Sequence, residues 1–204
     1  MIDPFYPVVP DSTWLARLVP AGAKFVQLRI KDKPEAELRH QVREARDICA
    51  KHGADLIVND YWQIAIDERC SWVHLGQEDL VDADVKAIRR AGLRLGVSTH
   101  DHAELEKGLA TDPDYVALGP IWPTALKKMP FAPQGLERIG EWKKLIKGRP
   151  LVAIGGLTLD RALQCLKAGA DSAAVVGDIV NNPDPVAQAK AWIKATRFAE
   201  KAVA

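Results

Sequence analysis

The chain has 204 residues, 48% of them hydrophobic, with 14 Gly and 13 Pro, a composition that fits one folded globular domain spanning residues 1–204 and excludes disordered and collagen-like classes. Its 28 basic and 27 acidic residues leave a formal charge of +1, so no overall field favours nucleic acid or an anionic membrane as partner, and any anion site must be local. Cys49, Cys70 and Cys165 are odd in number and far apart, which argues against a disulfide framework or a CxxC zinc knuckle and for a reduced cytoplasmic setting. The opening MIDPFYPVVPDS has no basic region ahead of an apolar run, unlike a secretory signal. The longest uncharged apolar stretch, Tyr115 to Leu126, is broken by Pro120 and Pro123 and falls short of the ~20 residues that span a bilayer.

In chain order, eight short runs rich in Val, Ile, Leu and Ala predict strands: Phe5–Val9, Phe25–Leu28, Asp55–Val58, Trp72–Leu75, Leu93–Val97, Tyr115–Leu118, Leu151–Ile154 and Ala173–Val176. They are nearly continuous in apolar residues rather than alternating, as parallel strands covered on both faces must be. Between them, Ala36–Lys51, Asp82–Ala91, Leu136–Lys147 and Leu159–Ala168 carry helical spacing. Glycines stand just ahead of strands at Gly22, Gly53, Gly92, Gly148 and Gly169, where a left-handed residue closes a helix. Eight repeats of this helix, glycine, strand grammar favour a closed (β/α)8 TIM barrel over an open doubly wound sheet.

In such a barrel chemistry belongs to the loops after the strands. After the second run, Gln27, Arg29 and Lys31 lie two apart and share one strand face, which would point inward in a barrel and outward on a solvated edge. The third run ends in Asn59-Asp60 and the fourth leads through His74-Leu75-Gly76-Gln77-Glu78 to Asp79. Carboxylates on neighbouring strand ends can converge on one Mg2+ completed by water and phosphate oxygens; equally, Asp60 and Asp79 can each cap a helix. His74, flanked by Val73 and Leu75, reads as a satisfied core histidine. In Ser98-Thr99-His100-Asp101-His102, two histidines without a third ligand read as loop or cap residues rather than a zinc site, and Ser98 is placed for a ligand hydrogen bond.

A Pro-rich loop from Gly119 to Pro133 carries Lys127 and Lys128, either of which offers a point charge to phosphate. Gly155-Gly156 and Val176-Gly177, after the seventh and eighth runs, expose backbone N–H groups near helix N-termini and form a candidate phosphate cradle, from which Asp178 must point away. No nucleophile and base pair stands out. The inventory suits the departure of a phosphorylated group held by metal and cations.

Six motifs in order, Gln27 to Lys31, Asn59-Asp60, His74 to Asp79, Gly96-Val97-Ser98, Gly119 to Thr124 with Lys127, and Ala153 to Gly156, resemble those of the thiamine phosphate synthase (thiamine-phosphate pyrophosphorylase) family over nearly the whole chain. The resemblance implies a barrel that joins hydroxymethylpyrimidine diphosphate to thiazole phosphate, with Mg2+ as cofactor and small phosphorylated molecules as its partners. It assigns Asp60 and Asp79 to the metal and Gln27, Arg29, Lys31, Asn59, Ser98 and Lys127 to the pyrimidine diphosphate, with Arg29, Lys31, Ser98 and Lys127 as the catalytic set. Thr124, Leu126, Gly156, Val176 and Gly177 fall to the thiazole phosphate. The implied mechanism is dissociative: diphosphate leaves, and the thiazole nitrogen attacks a pyrimidine-stabilised methyl cation. Leu126 and Gly177 replace the family's usual Thr and Ser, leaving backbone N–H groups to serve the phosphate. A thiazole tautomerase of the same barrel family and a non-catalytic sensor of phosphorylated ligands are the competing readings; retention of Asp60, Asp79 and Gln27 to Lys31 speaks against the tautomerase.

Overall fold

The computed structural model describes residues 2–124 and 131–201. Eight parallel strands close into a barrel: β1 (Phe5–Val9), β2 (Phe25–Leu28), β3 (Asp55–Asn59), β4 (Trp72–Leu75), β5 (Arg94–Thr99), β6 (Tyr115–Leu118), β7 (Leu151–Ile154) and β8 (Ser172–Val175). The seam is an ordinary parallel pairing, with Phe5, Tyr6 and Pro7 of β1 opposite Ala173, Ala174 and Val175 of β8. All eight runs expected from the sequence are strands; only β3, β5 and β8 differ at their ends, by one or two residues, as hydrogen-bonded boundaries commonly do.

Around the barrel run α1 (Ser12–Leu18), α2 (Glu35–His52), α3 (Trp62–Asp67), α4 (Gln77–Asp82), α5 (Val85–Arg90), α6 (His102–Ala110), α7 (Glu137–Leu145), α8 (Leu159–Lys167), α9 (Gly177–Val180) and α10 (Pro185–Lys201). Gly53 closes α2 at φ 59°, and the glycines ahead of four other strands likewise take positive φ. The stretch expected to form one helix over Asp82–Ala91 is instead the end of α4 and all of α5. Ala83 is extended, and the Asp84 carboxylate accepts from the Ala87 N–H, so a capping side chain wins over helical continuity. Asp101 caps α6 in the same way through the Glu104 N–H, the loop duty foreseen for that segment.

The sheet separates two apolar cores. Between sheet and helices lie Leu15, Val42, Ile88, Trp142 and Trp192, all buried. Inside the barrel lie Tyr6, Val8, Phe25, Ile57, Trp72, Tyr115, Ala117, Val152 and Ala174, with Phe25 edge-on to Trp72 at 5.2 Å and Arg94 over the Trp72 ring at 4.2 Å. The three cysteines are free thiols, and burial pushes Cys70 up to about 11 and Cys49 and Cys165 up to about 12. They pack as small hydrophobes.

Candidate active site

The C-terminal ends of the strands gather the polar residues. Asn59 is the last residue of β3, and Asp60 follows at φ 67°, a left-handed conformation that Asp tolerates better than most side chains. Three backbone hydrogen bonds hold that turn: Asp60 N–H to the His74 carbonyl at 2.9 Å, Tyr61 N–H to Asn59 at 2.9 Å and Trp62 N–H to Asp60 at 2.8 Å. Lys31 Nζ sits 2.9 Å from Asp60 Oδ2. Asp79 occupies the first turn of α4, where its carboxylate folds back over Gly76; a Cβ there would stand 3.1 Å from Asp79 Oδ2. Tyr61 and Gly76, not the two acids, stand at the N-cap positions of α3 and α4, and the Asp79 carboxylate turns back on its own N–H in the first turn of α4.

Burial, and next the charge of Asp60 and a hydrogen bond with it, raise the Asp79 carboxyl above its ordinary value, with Lys31 working in the opposite direction. Two carboxylates this close, one of them reluctant to ionise, form a site short of positive charge. Among the described residues no group of three or more His, Cys, Asp or Glu gathers. The donor set is therefore two carboxylate side chains, which suits a hard divalent cation that keeps waters and takes phosphate oxygens. Arg29 is half-buried, and its charge is felt at His74. Asn59 is 5% exposed and spends no side-chain hydrogen bond on the described residues. Glu78 is exposed.

Across the barrel runs a continuous hydrogen-bonded chain. Gln27 Nε2 donates to Tyr6 OH at 2.8 Å, Tyr6 OH meets Tyr115 OH at 2.8 Å, Tyr115 OH meets His74 Nδ1 at 2.8 Å, and His74 Nε2 meets Ser98 Oγ at 2.8 Å. Five strands contribute one member each. His74 is the satisfied core histidine expected, with one ring nitrogen bonded to Tyr115 and the other to Ser98. Its desolvation lowers its pKa to about 4, so it is neutral, and burial drives both tyrosines above the ordinary phenol value. Gln77 Nε2 donates to the Ser98 carbonyl at 2.6 Å and braces the same loop.

Gly96 makes room for this chain. It pairs with His74 on one side and Tyr115 on the other, and a Cβ at Gly96 would lie 2.0 Å from Tyr115 Cζ and 2.4 Å from its hydroxyl. Tyr6 and Tyr115 are not among the candidates the sequence offers, and Gly96 enters there only as part of the Gly96-Val97-Ser98 motif. The available signals were two phenols in otherwise apolar strands and a glycine inside a third.

On the opposite side, Gly155 and Gly156 at φ 101° and 66° pack under the β6 loop. A Cβ on Gly156 would stand 2.5 Å from the Pro123 carbonyl. Arg161 holds the Gly156 carbonyl at 2.6 Å, while the Gly156 N–H donates to none of the described residues. Val176 precedes the first turn of α9 at Gly177, where helix N–H groups are unpaired by construction. Asp178 Oδ2 turns back to accept from Gln188 Nε2 and Trp192 Nε1, each at 2.7 Å, so it does point away from the cradle. Thr124 is half-buried at the end of the β6 loop, whereas Leu126, Lys127 and Lys128 lie outside the described residues. His100 bonds Glu104, and His102 bonds Glu141, each at 2.6 Å.

Residues 6–179 match the family model described as thiamine monophosphate synthase. The chain is 59% identical over 195 residues to the thiamine-phosphate synthase of Rhizobium etli, covering 96% of each protein. It is 50% identical to that of Cronobacter sakazakii over 88% of this chain and 85% of the relative. Its fold matches a thiamine phosphate pyrophosphorylase from Pyrococcus furiosus with a TM-score of 0.85 at 24% identity, covering 96% of both chains.

Proposed function

The chain belongs to the thiamine monophosphate synthase family, and from that premise we propose that it is a transferase joining hydroxymethylpyrimidine diphosphate to thiazole phosphate, with release of diphosphate. The observation that carries the reading is the cation-hungry pair Asp60 and Asp79 beside Lys31, at the same barrel end as the Gln27 to Ser98 chain. A thiazole tautomerase has no use for two mutually destabilised carboxylates, since it handles no diphosphate.

Asp60 and Asp79 fit Mg2+ and would hold it through one carboxylate each. Bound there, the ion would neutralise charge on the diphosphate and bridge it to the protein. Arg29 and Lys31 supply further positive charge to the leaving group, and Lys127 takes the same part by its place in the sequence motif. Gln27, Asn59 and Ser98 orient the pyrimidine, while Thr124, Leu126, Gly156, Val176 and Gly177 receive the thiazole phosphate, largely through N–H groups. The chain's residues bind, orient and stabilise departing charge; none is required as a nucleophile, which agrees with a dissociative displacement. No helix among the described residues is long and apolar enough to cross a membrane, and three buried free thiols suit the reducing cytoplasm.

Diphosphate release tests the reading. Purified protein should release it only when both substrates and Mg2+ are present, and Asp60→Ala should lose about a hundredfold in turnover, roughly 2.7 kcal/mol of transition-state stabilisation. Lys127→Ala should lose at least about tenfold, roughly 1.4 kcal/mol; a smaller loss transfers that role to Lys128. Metal-independent isomerisation of a thiazole carboxylate without diphosphate release would make the protein a tautomerase. Binding without any turnover would make it a sensor.

A further inference from the structure

The chain from Gln27 to Ser98 has a direction. Each link needs one proton, and each phenol carries one. Gln27 Nε2 spends an amide proton on Tyr6 OH. If Tyr115 also donated to Tyr6, the Tyr6 proton would be left without an acceptor in a site that is 1% exposed, which folded proteins avoid. Tyr6 therefore donates to Tyr115, and Tyr115 donates to His74 Nδ1. That bond leaves the imidazole proton on Nε2, from which it is donated to Ser98 Oγ. At the ends of the chain the Gln27 amide oxygen and second amide proton, and the Ser98 hydroxyl proton and second lone pair, remain unspent on the described residues.

We infer that Tyr6, Tyr115 and His74 are positioning residues whose one-way hydrogen-bond chain holds the Gln27 amide and the Ser98 hydroxyl in place at the pyrimidine site. The inference rests on the pyrimidine site proposed above and adds three positioning residues to it.

The test is the tautomer of His74, read by 15N NMR on substrate-free protein labelled at histidine, with the signal identified by its loss in His74→Gln. Wild type should show one tautomer, protonated on Nε2. Tyr115→Phe should turn it into a mixture and raise KM for the pyrimidine diphosphate about tenfold, with KM for thiazole phosphate unchanged. Tyr6→Phe, which only detaches Gln27, should raise the same KM and leave the His74 tautomer as it is, so the inference stays testable should Tyr115→Phe not fold. A wild-type proton on Nδ1, a wild-type mixture, or equal rises in both KM values in the variants would overturn the inference. Wild type that shows the Nε2 tautomer yet releases no diphosphate would instead refute the synthase reading, so the two failures are distinct.

Discussion

Outside the sheet, Leu15, Val42, Ile88 and Ile139 fill the space between strands and helices with aliphatic side chains that ask nothing of their neighbours but volume. Inside the barrel, Tyr6 and Tyr115 fill comparable space, but each hydroxyl must also find partners, and finds them in Gln27 and His74. Lower in the same interior, Trp72 Nε1 is buried without a hydrogen-bond partner among the described residues. The aliphatic part of the outer core supplies stability through burial, whereas the two phenols of the inner core tie stability to the polar groups at the strand ends. A change in the outer core should be felt in melting, and a change in the inner core in melting and kinetics together.

The largest expected effect separates the two. Leu15→Ala, at a fully buried outer position, should cost about 2–5 kcal/mol of stability, measured by denaturant unfolding, and leave both KM values at those of wild type when assayed below its melting range. A shifted KM would mean that the outer core is not insulated from the site. Gly96→Ala comes next: the added methyl collides with Tyr115, and overpacking of this kind costs roughly 1–3 kcal/mol. Unlike Leu15→Ala, it should also raise KM for the pyrimidine diphosphate.

The smallest effect has the opposite sign. Because Asp79 has a raised pKa, the folded protein holds its proton more tightly than the unfolded chain does. The metal-free protein therefore gains stability from this group as pH falls from neutrality toward the ordinary carboxylate range. Asp79→Asn removes the repulsion at every pH. In EDTA it should melt on the order of 2 °C above wild type, equivalent to roughly 0.5–1 kcal/mol, while losing the Mg2+-dependent stabilisation that wild type gains. Melting at or below the wild-type temperature would show that Asp60 and Asp79 do not oppose one another.

The barrel was legible because apolar runs and strand-leading glycines report directly on burial and backbone conformation, and both are properties of single segments. The break between α4 and α5 was missed because helical spacing over Asp82–Ala91 hides what a capping Asp84 does to the residue before it. At the site, Asp60, Gln27 and Ser98 stand at or near strand ends and Asp79 in the first turn of the helix after β4, where sequence order alone predicts convergence. His74 was recognised as buried, but its partners come from β5 and β6, and no local pattern joins Ser98 and Tyr115 to it. Pairing register does so, and register is fixed only when the barrel closes.

The contact between Gly96 and Tyr115 also constrains how such a sequence can change over time. A side chain at position 96 is blocked while the phenol ring occupies its space, so Tyr115 must first give way to something smaller. The order of substitutions is thus set by geometry, and the first step of that path breaks the contact with His74. A lineage that has lost the tyrosine is released to fill position 96 with other residues, after which the tyrosine cannot return unless the glycine is restored. Covariation of these two positions among relatives would record which lineages have taken that route.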